Sequence, residues 1–372
     1  MTDRALRIVV LDGRGDTHAN EVTAAIAEAL KSEQTADVAG GGRAEASTAD
    51  ALLHDADAAV VLDDGSLLRA REAGAPLCVV VLPGFDAGWA GDFAEADLVL
   101  VAHESLVGAV VRRGASREDV VVVGPVPPVG YVPAKDRGAL RAEVGVDHDG
   151  SLVLVPSAVL EVEGTEAILI QLALASPNVA FLFDVDSDPD VAEELRRVVP
   201  THGLTAWMFA DERDSVRFWQ IADVVIARAR GHEVARALGV GAPLVLLPPG
   251  RSDATAARAI EAAGIGRDAD VLATLAVTID AAVEPDALRD GRDAIAALSV
   301  GASAERLSEA VRGAWKRRST TGRAAPPRGL PHGLEPLPAS RERSPHRSSL
   351  PPADDDLEAR IDRELAELKK RL

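Results

Sequence analysis

Short runs of Val, Leu and Ile recur along this chain, separated by Ala-rich stretches of helical spacing. An unbroken apolar run is the signature of a parallel strand covered by helices on both faces, whereas a strand with one wet face alternates. The first such runs are Leu6–Leu11, Ala58–Leu62, Leu77–Leu82, Leu98–Ala102 and Val120–Val123. Between the first two, Val22, Ile26, Ala29 and Leu30 mark a helix over Glu21–Leu30. Pro125, Pro127, Pro128 and Pro133 then crowd together with Gly124 and Gly130, a density that continues neither strand nor helix and reads as a crossover linker. Beyond it the alternation restarts with Leu152–Val155, Val179–Phe183, Thr205–Phe209, Val224–Ile226 and Leu244–Leu247, and with helical stretches at Ala254–Ala263, Arg292–Ala297 and Ala304–Trp315. The pattern predicts two doubly wound α/β domains of Rossmann-like type, 1–125 and 151–315, with 126–150 carrying the linker and the start of the second.

Aromatics are only 3% of the 372 residues, so aliphatic side chains must fill both cores. The single cysteine, Cys78, excludes an internal disulfide framework and a Cys-rich metal site. No uncharged apolar run reaches the ~20 residues of a spanning helix, and the opening run is too short for a signal peptide. The expected compartment is therefore the cytoplasm, with at most peripheral contact at the inner face of the membrane.

Charge divides the chain. Of the total of −19, residues 316–350 carry +6 and 351–372 carry −2, which leaves −23 on residues 1–315. So acidic a body repels nucleic-acid backbones and anionic lipid headgroups at long range. Residues 316–353 hold eight of the 22 prolines with Ser, Gly and Arg, the composition of a disordered linker. In 354–372, Leu357, Ile361, Leu365, Leu368 and Leu372 form a narrow apolar stripe behind Asp354-Asp355-Asp356. That pattern reads as a short amphipathic helix for coiled-coil pairing with a protein partner or a second copy, or as a solvated tail.

Two groups of residues carry a resemblance. The first is Ala96-Asp97-Leu98-Val99-Leu100-Val101 with Leu106–Gly114, Val120–Pro127 and Arg137–Gly145. The second is Ile221-Ala222-Asp223-Val224-Val225-Ile226 with Gly241-Ala242-Pro243-Leu244-Val245-Leu246-Leu247-Pro248 and Ala263-Gly264. Together they resemble the nucleotide-sugar glycosyltransferases of GT-B type, in particular the branch of diacylglycerol glycosyltransferases and the peptidoglycan N-acetylglucosaminyltransferase. The resemblance implies an acceptor, unknown here, on the N-terminal domain and a nucleotide-sugar, expected to be a uridine diphosphate sugar, on the C-terminal one. It also implies chemistry in the cleft with no metal or other cofactor, since helix dipoles and loop amides neutralise the leaving diphosphate.

Matched residue by residue, the family's Gly-rich loop ending in His corresponds to Gly13-Arg14-Gly15-Asp16-Thr17-His18. Gly13 and Gly15 shape the cleft loop and His18 is the candidate base. Asp16 either orients His18 or caps the following helix. Where the family has a Gly-Gly loop, this chain has Pro156-Ser157, and Ser157 remains as a donor-side group. The Gly pair after Ile226 is replaced by Ala227-Arg228-Ala229-Arg230-Gly231-His232. Arg228 and Arg230 can neutralise a diphosphate by charge-assisted hydrogen bonds, and Gly231 lets the backbone approach. Arg236 stands at the family's ribose-contacting Glu. Glu233, three residues earlier, either contacts ribose in its stead or forms a solvated i,i+3 pair with Arg236. Asp253 and Ala256 stand at or near the family's sugar-contacting Gln and Asn. Trp89 matches a tryptophan of the lipid-acceptor branch, or packs in the core. His232 has no paired His or Cys at metal spacing.

Three functions fit: a glycosyltransferase acting on a nucleotide-sugar, a catalytically degenerate relative that binds a partner through its C-terminal helix, and a nucleotide-sugar hydrolase or epimerase. Fold alone does not choose among them.

Overall fold

The computed structural model describes residues 6–12, 17–31, 35–40, 51–85, 91–185, 189–209, 212–230, 232–248, 250 and 253–321. Two six-stranded parallel sheets make up the two lobes. The first contains β1 (Arg7–Asp12), β2 (Thr35–Gly40), β3 (Ala58–Val61), β4 (Cys78–Leu82), β5 (Leu98–Val101) and β6 (Val120–Val122), in the order β2-β1-β3-β4-β5-β6. The second contains β7 (Ser151–Pro156), β8 (Val179–Asp184), β9 (Ala206–Phe209), β10 (Val224–Ala227), β11 (Leu244–Leu246) and β12 (Gly266–Asp268), in the order β12-β11-β10-β7-β8-β9.

Each strand with an apolar run feeds two cores, as burial on both faces requires. In the first sheet Val9, Leu11, Val61, Val80 and Val99 face one side. Ile8, Val10, Val60, Val79 and Leu98 face the other. The second face is covered by helix α1 (Thr17–Lys31), through Val22, Ile26 and Leu30. The second sheet divides likewise, with Leu154, Leu182 and Val225 on one side and Val155, Phe183 and Ile226 on the other.

Three acidic residues fix where parallel neighbours begin. Asp57, Asp97 and Asp223 each stand just before a strand and accept an N–H from the first or second residue of the strand beside it, from Arg7 at 2.9 Å, Cys78 at 2.8 Å and Leu152 at 3.0 Å. In return the N–H of each Asp donates to the carbonyl of that same neighbour. The Ala-Asp pairs of the two resembling motifs are thus registration devices: a carboxylate satisfies a donor that the slanted parallel ladder leaves over.

Two strands have no apolar run to announce them. β2 (TADVAG) and β12 (GRD) lie at sheet edges and are defined by backbone pairing, with β1 and β11 respectively. The stretch from Gly124 to Lys135 is free of helix and strand, as its prolines require. The last helix, α6 by the numbering below, spans Ser303–Thr321 and runs six residues into the segment that composition assigns to a linker. It packs Leu307, Val311 and Ala314 on the first sheet, beside α1, although it follows the second lobe in sequence. The chain therefore crosses between lobes twice. The crossings touch at Gly124, whose φ of +94° suits glycine and whose missing Cβ leaves room for Ser303 and the Leu298 carbonyl. Residues 322–353 of the expected linker and all of 354–372 lie outside the described residues.

Candidate functional site

In an open parallel sheet the crevice lies at the carboxyl ends of the strands, where the chain order reverses. In the first lobe that point falls between β1 and β3, on either side of which the order departs. In the second it falls between β7 and β10. The sequence-derived candidates map onto these two edges.

On the first edge, Gly13, Gly15 and Asp16 follow β1 directly but lie outside the described residues. His18 belongs to the first turn of α1, where the backbone alone is described. On the second edge, Ser157 immediately follows β7 and opens α3 (Ser157–Glu163), after α2 (Arg137–Glu143) in chain order; its side chain is buried. Arg228 follows β10 directly and is partly exposed, and Arg230 is exposed. Gly231 and Trp89 lie outside the described residues.

Glu233 is the first residue of α4 (Glu233–Val240) and has no exposed surface. Neither carboxyl oxygen has a hydrogen-bond partner. Arg228 Nε stands 3.7 Å from Oε1 and His232 Nδ1 3.9 Å from Oε2, both beyond hydrogen-bond reach. Burial pushes the carboxyl above its ordinary pKa; its own N–H and the charges of Arg228 and Arg236 oppose this without cancelling it. The group is a buried acid that resists ionising, set beside a guanidinium whose Nε also lacks an acceptor. It is turned away from solvent, not presented to a ribose.

The expected solvated pair between Glu233 and Arg236 does not form. Arg236 reaches into the other lobe and grips Glu21 of α1, Nη2 to Oε1 at 2.7 Å and Nε to Oε2 at 3.3 Å. Its guanidinium carbon lies 5.5 Å from the Tyr131 ring centre and 5.6 Å from that of Trp219. The two rings meet edge to face, and Trp219 Nε1 donates to Asp184 Oδ2 at 2.8 Å. Burial works against the charge on Arg236, while Tyr131 and Glu21 more than offset it, so its pKa rises. A continuous line of contacts, Asp184–Trp219–Arg236–Glu21, thus joins the carboxyl edge of the second sheet to the first helix of the first lobe.

Sequence reasoning missed Glu21, Tyr131 and Asp184. Asp184 was detectable, because it ends an apolar strand run at the carboxyl edge of a doubly wound sheet. Glu21 was not: α1 carries two acids, Glu21 and Glu28, and nothing local marks the one that meets Arg236. Trp219 is fully buried and also holds Asp184. Among the described residues no helix is long and apolar enough to cross a membrane.

No protein-family model matches the chain, and no curated protein matches it in sequence. Solved structures match in fold. HepE of Anabaena, in complex with UDP and glucose, aligns at 15% identity and a TM-score of 0.58, covering 84% of this chain and 100% of its own. A glycosyltransferase from Rickettsia africae aligns at 12% identity and 0.57, covering 85% and 99%. The UDP-GlcNAc 2-epimerase of Neisseria meningitidis, bound to UDP-GlcNAc, aligns at 12% identity and 0.58, covering 83% and 100%. The likeness extends across both lobes and includes a glycosyltransferase and an epimerase alike: the chain has the two-domain α/β architecture of GT-B type.

Proposed function

We propose that this protein binds a nucleoside diphosphate sugar, with UDP as the nucleotide, at the carboxyl edge of its second sheet and transfers the sugar to an acceptor held by the first lobe. The observation that carries the reading is the pairing of Arg228 with Glu233. Burial raises the pKa of the Glu233 carboxyl, Arg228 Nε has no acceptor among the described residues, and Arg228 stands at the switch point where a diphosphate belongs. HepE and the epimerase among the similar structures both have UDP or a UDP-sugar as their named ligand, which supports the nucleotide.

In this scheme the acceptor hydroxyl oxygen attacks the anomeric carbon and loses its proton to His18, oriented by Asp16. The bond from the anomeric carbon to the β-phosphate oxygen breaks, and the charge left on the diphosphate is taken up by Arg228 and Arg230. Ser157 offers its hydroxyl and N–H to the same group. Glu233 acts through Arg228, as its buried neighbour.

A second reading draws on Arg236. It occupies the position at which the resembling family has a ribose-contacting Glu, and its guanidinium is already committed to Glu21. That commitment favours a scaffold that retains the fold without transfer. Incubation of the full chain with UDP-glucose and UDP-N-acetylglucosamine, followed by quantitation of released UDP, separates the two. Release that is lost in His18→Ala supports transfer or hydrolysis, and an absence of release with intact nucleotide binding supports the scaffold.

A further inference from the structure

Between the two crossings of the chain lies a cavity of about 450 Å³, within the range of small-molecule sites. Its walls come from the Pro-rich linker, the carboxyl end of α4, the carboxyl end of α5 (Pro285–Ala297) and the turn leading to α6. They are apolar, with Pro127, Tyr131, Leu238, Ile295 and Val300 facing the space. The charged groups in the wall are both guanidinium ions, Arg137 and Arg292, and no carboxylate lines it among the described residues.

These two arginines share a single carboxylate oxygen. Arg292 Nη2 stands 2.8 Å and Arg137 Nη1 3.6 Å from Asp223 Oδ1. The other oxygen of Asp223 is taken by Arg141 and by the Leu152 N–H. Three guanidinium ions therefore surround one carboxylate. The acids near Arg141, which are Asp149, Asp280 and Glu284, line a different cavity and do not reach this one. Arg137 Nη1 and Arg292 Nε are buried without a hydrogen-bond acceptor. Burial together with the charge of Arg292 lowers the pKa of Arg137 to about 10, the same crowding seen from its energetic side. A partly buried excess of positive charge with unsatisfied donors, Arg137 keeping 21% and Arg292 38% of its side-chain surface in water, is relieved by an entering anion.

We propose that this hinge cavity binds an amphiphilic organic anion, a carboxylate on a hydrocarbon body, with the head at Arg137 and Arg292 and the body between Tyr131, Leu238 and Val300. The apolar walls disfavour a nucleotide, whose polar base and ribose would find no partners there. A bare inorganic anion would leave the apolar space unfilled. The ligand would touch both crossings at once and so stiffen the joint between the lobes. This inference is independent of nucleotide binding at the sheet edges.

The test is calorimetric titration of the full chain with decanoate, with 1-decanol and inorganic phosphate as the tail-only and head-only probes. Saturable one-site binding of decanoate is expected below about 1 mM, with both controls at least about tenfold weaker. Arg292→Gln should weaken decanoate binding by about tenfold or more. Ala296→Trp, at an exposed lining position, should block the cavity while leaving the melting temperature and the circular dichroism spectrum unchanged. Decanol binding as tightly as decanoate, undiminished binding to Ala296→Trp, or no saturation by decanoate would each overturn the proposal.

Discussion

Arg236 and Glu21 are 215 residues apart in sequence and meet through a two-pronged ion pair, 2.7 Å at its shorter contact, that crosses from one lobe to the other. Arg236 is almost fully buried between two aromatic rings, whereas Glu21 keeps about a third of its side-chain surface in water. That exposure limits the gain. A double-mutant cycle of Glu21→Ala and Arg236→Ala should give a coupling of about 1 kcal/mol in urea unfolding. The exchanged pair, Glu21→Arg with Arg236→Glu, should recover part of what Arg236→Glu alone loses. Strict additivity in the cycle would mean that the pair does not fasten the lobes.

Glu233 predicts a pH dependence of definite sign. Its native pKa is raised above the ordinary value of 4.5. Its contribution to stability is thus complete below that value and is lost as pH rises through the raised native one. Glu233→Gln removes this dependence. The variant and the wild type should have similar urea midpoints near pH 4.5, and the variant should be the more stable of the two at pH 8. Parallel profiles across the range would show that the carboxyl is satisfied in solution.

The three strand-start aspartates should differ in worth. Asp223 holds three arginines besides its N–H cap, and Asp97 holds Arg318 at 2.6 Å and Arg71 at 3.1 Å besides its own. Removing Asp223 strands several buried cations, so Asp223→Ala should cost about 3–5 kcal/mol in chemical unfolding. Asp97→Ala should cost less, and Asp57→Ala, at the more exposed β1 start, about 1 kcal/mol. Equal costs at all three positions would reduce them to simple caps.

The sheets were legible because burial on both faces leaves a mark that survives in a single sequence: Leu77–Leu82 and Val179–Phe183 look like nothing else. β2 and β12 were not, since an edge strand is fixed by the backbone beside it and needs no apolar run. The destination of the last helix was equally hidden. Leu307, Val311 and Ala314 announce an apolar face, but a face does not say which sheet it will cover. At the candidate site, Ser157, Arg228 and Glu233 were named only through the resemblance to a family's motifs. The partner of Arg236 was not readable, because i,i+3 spacing describes neighbours on one helix and carries no information about a glutamate on another lobe.

The account rests on a nucleoside diphosphate binding at the carboxyl edge of the second sheet, and calorimetric titration with UDP tests it most directly. The wild-type chain should bind UDP saturably, and Arg228→Ala with Arg230→Ala should weaken that binding by about fivefold or more. A flat titration to about 1 mM UDP, or a double variant that binds as well as the wild type, would contradict it.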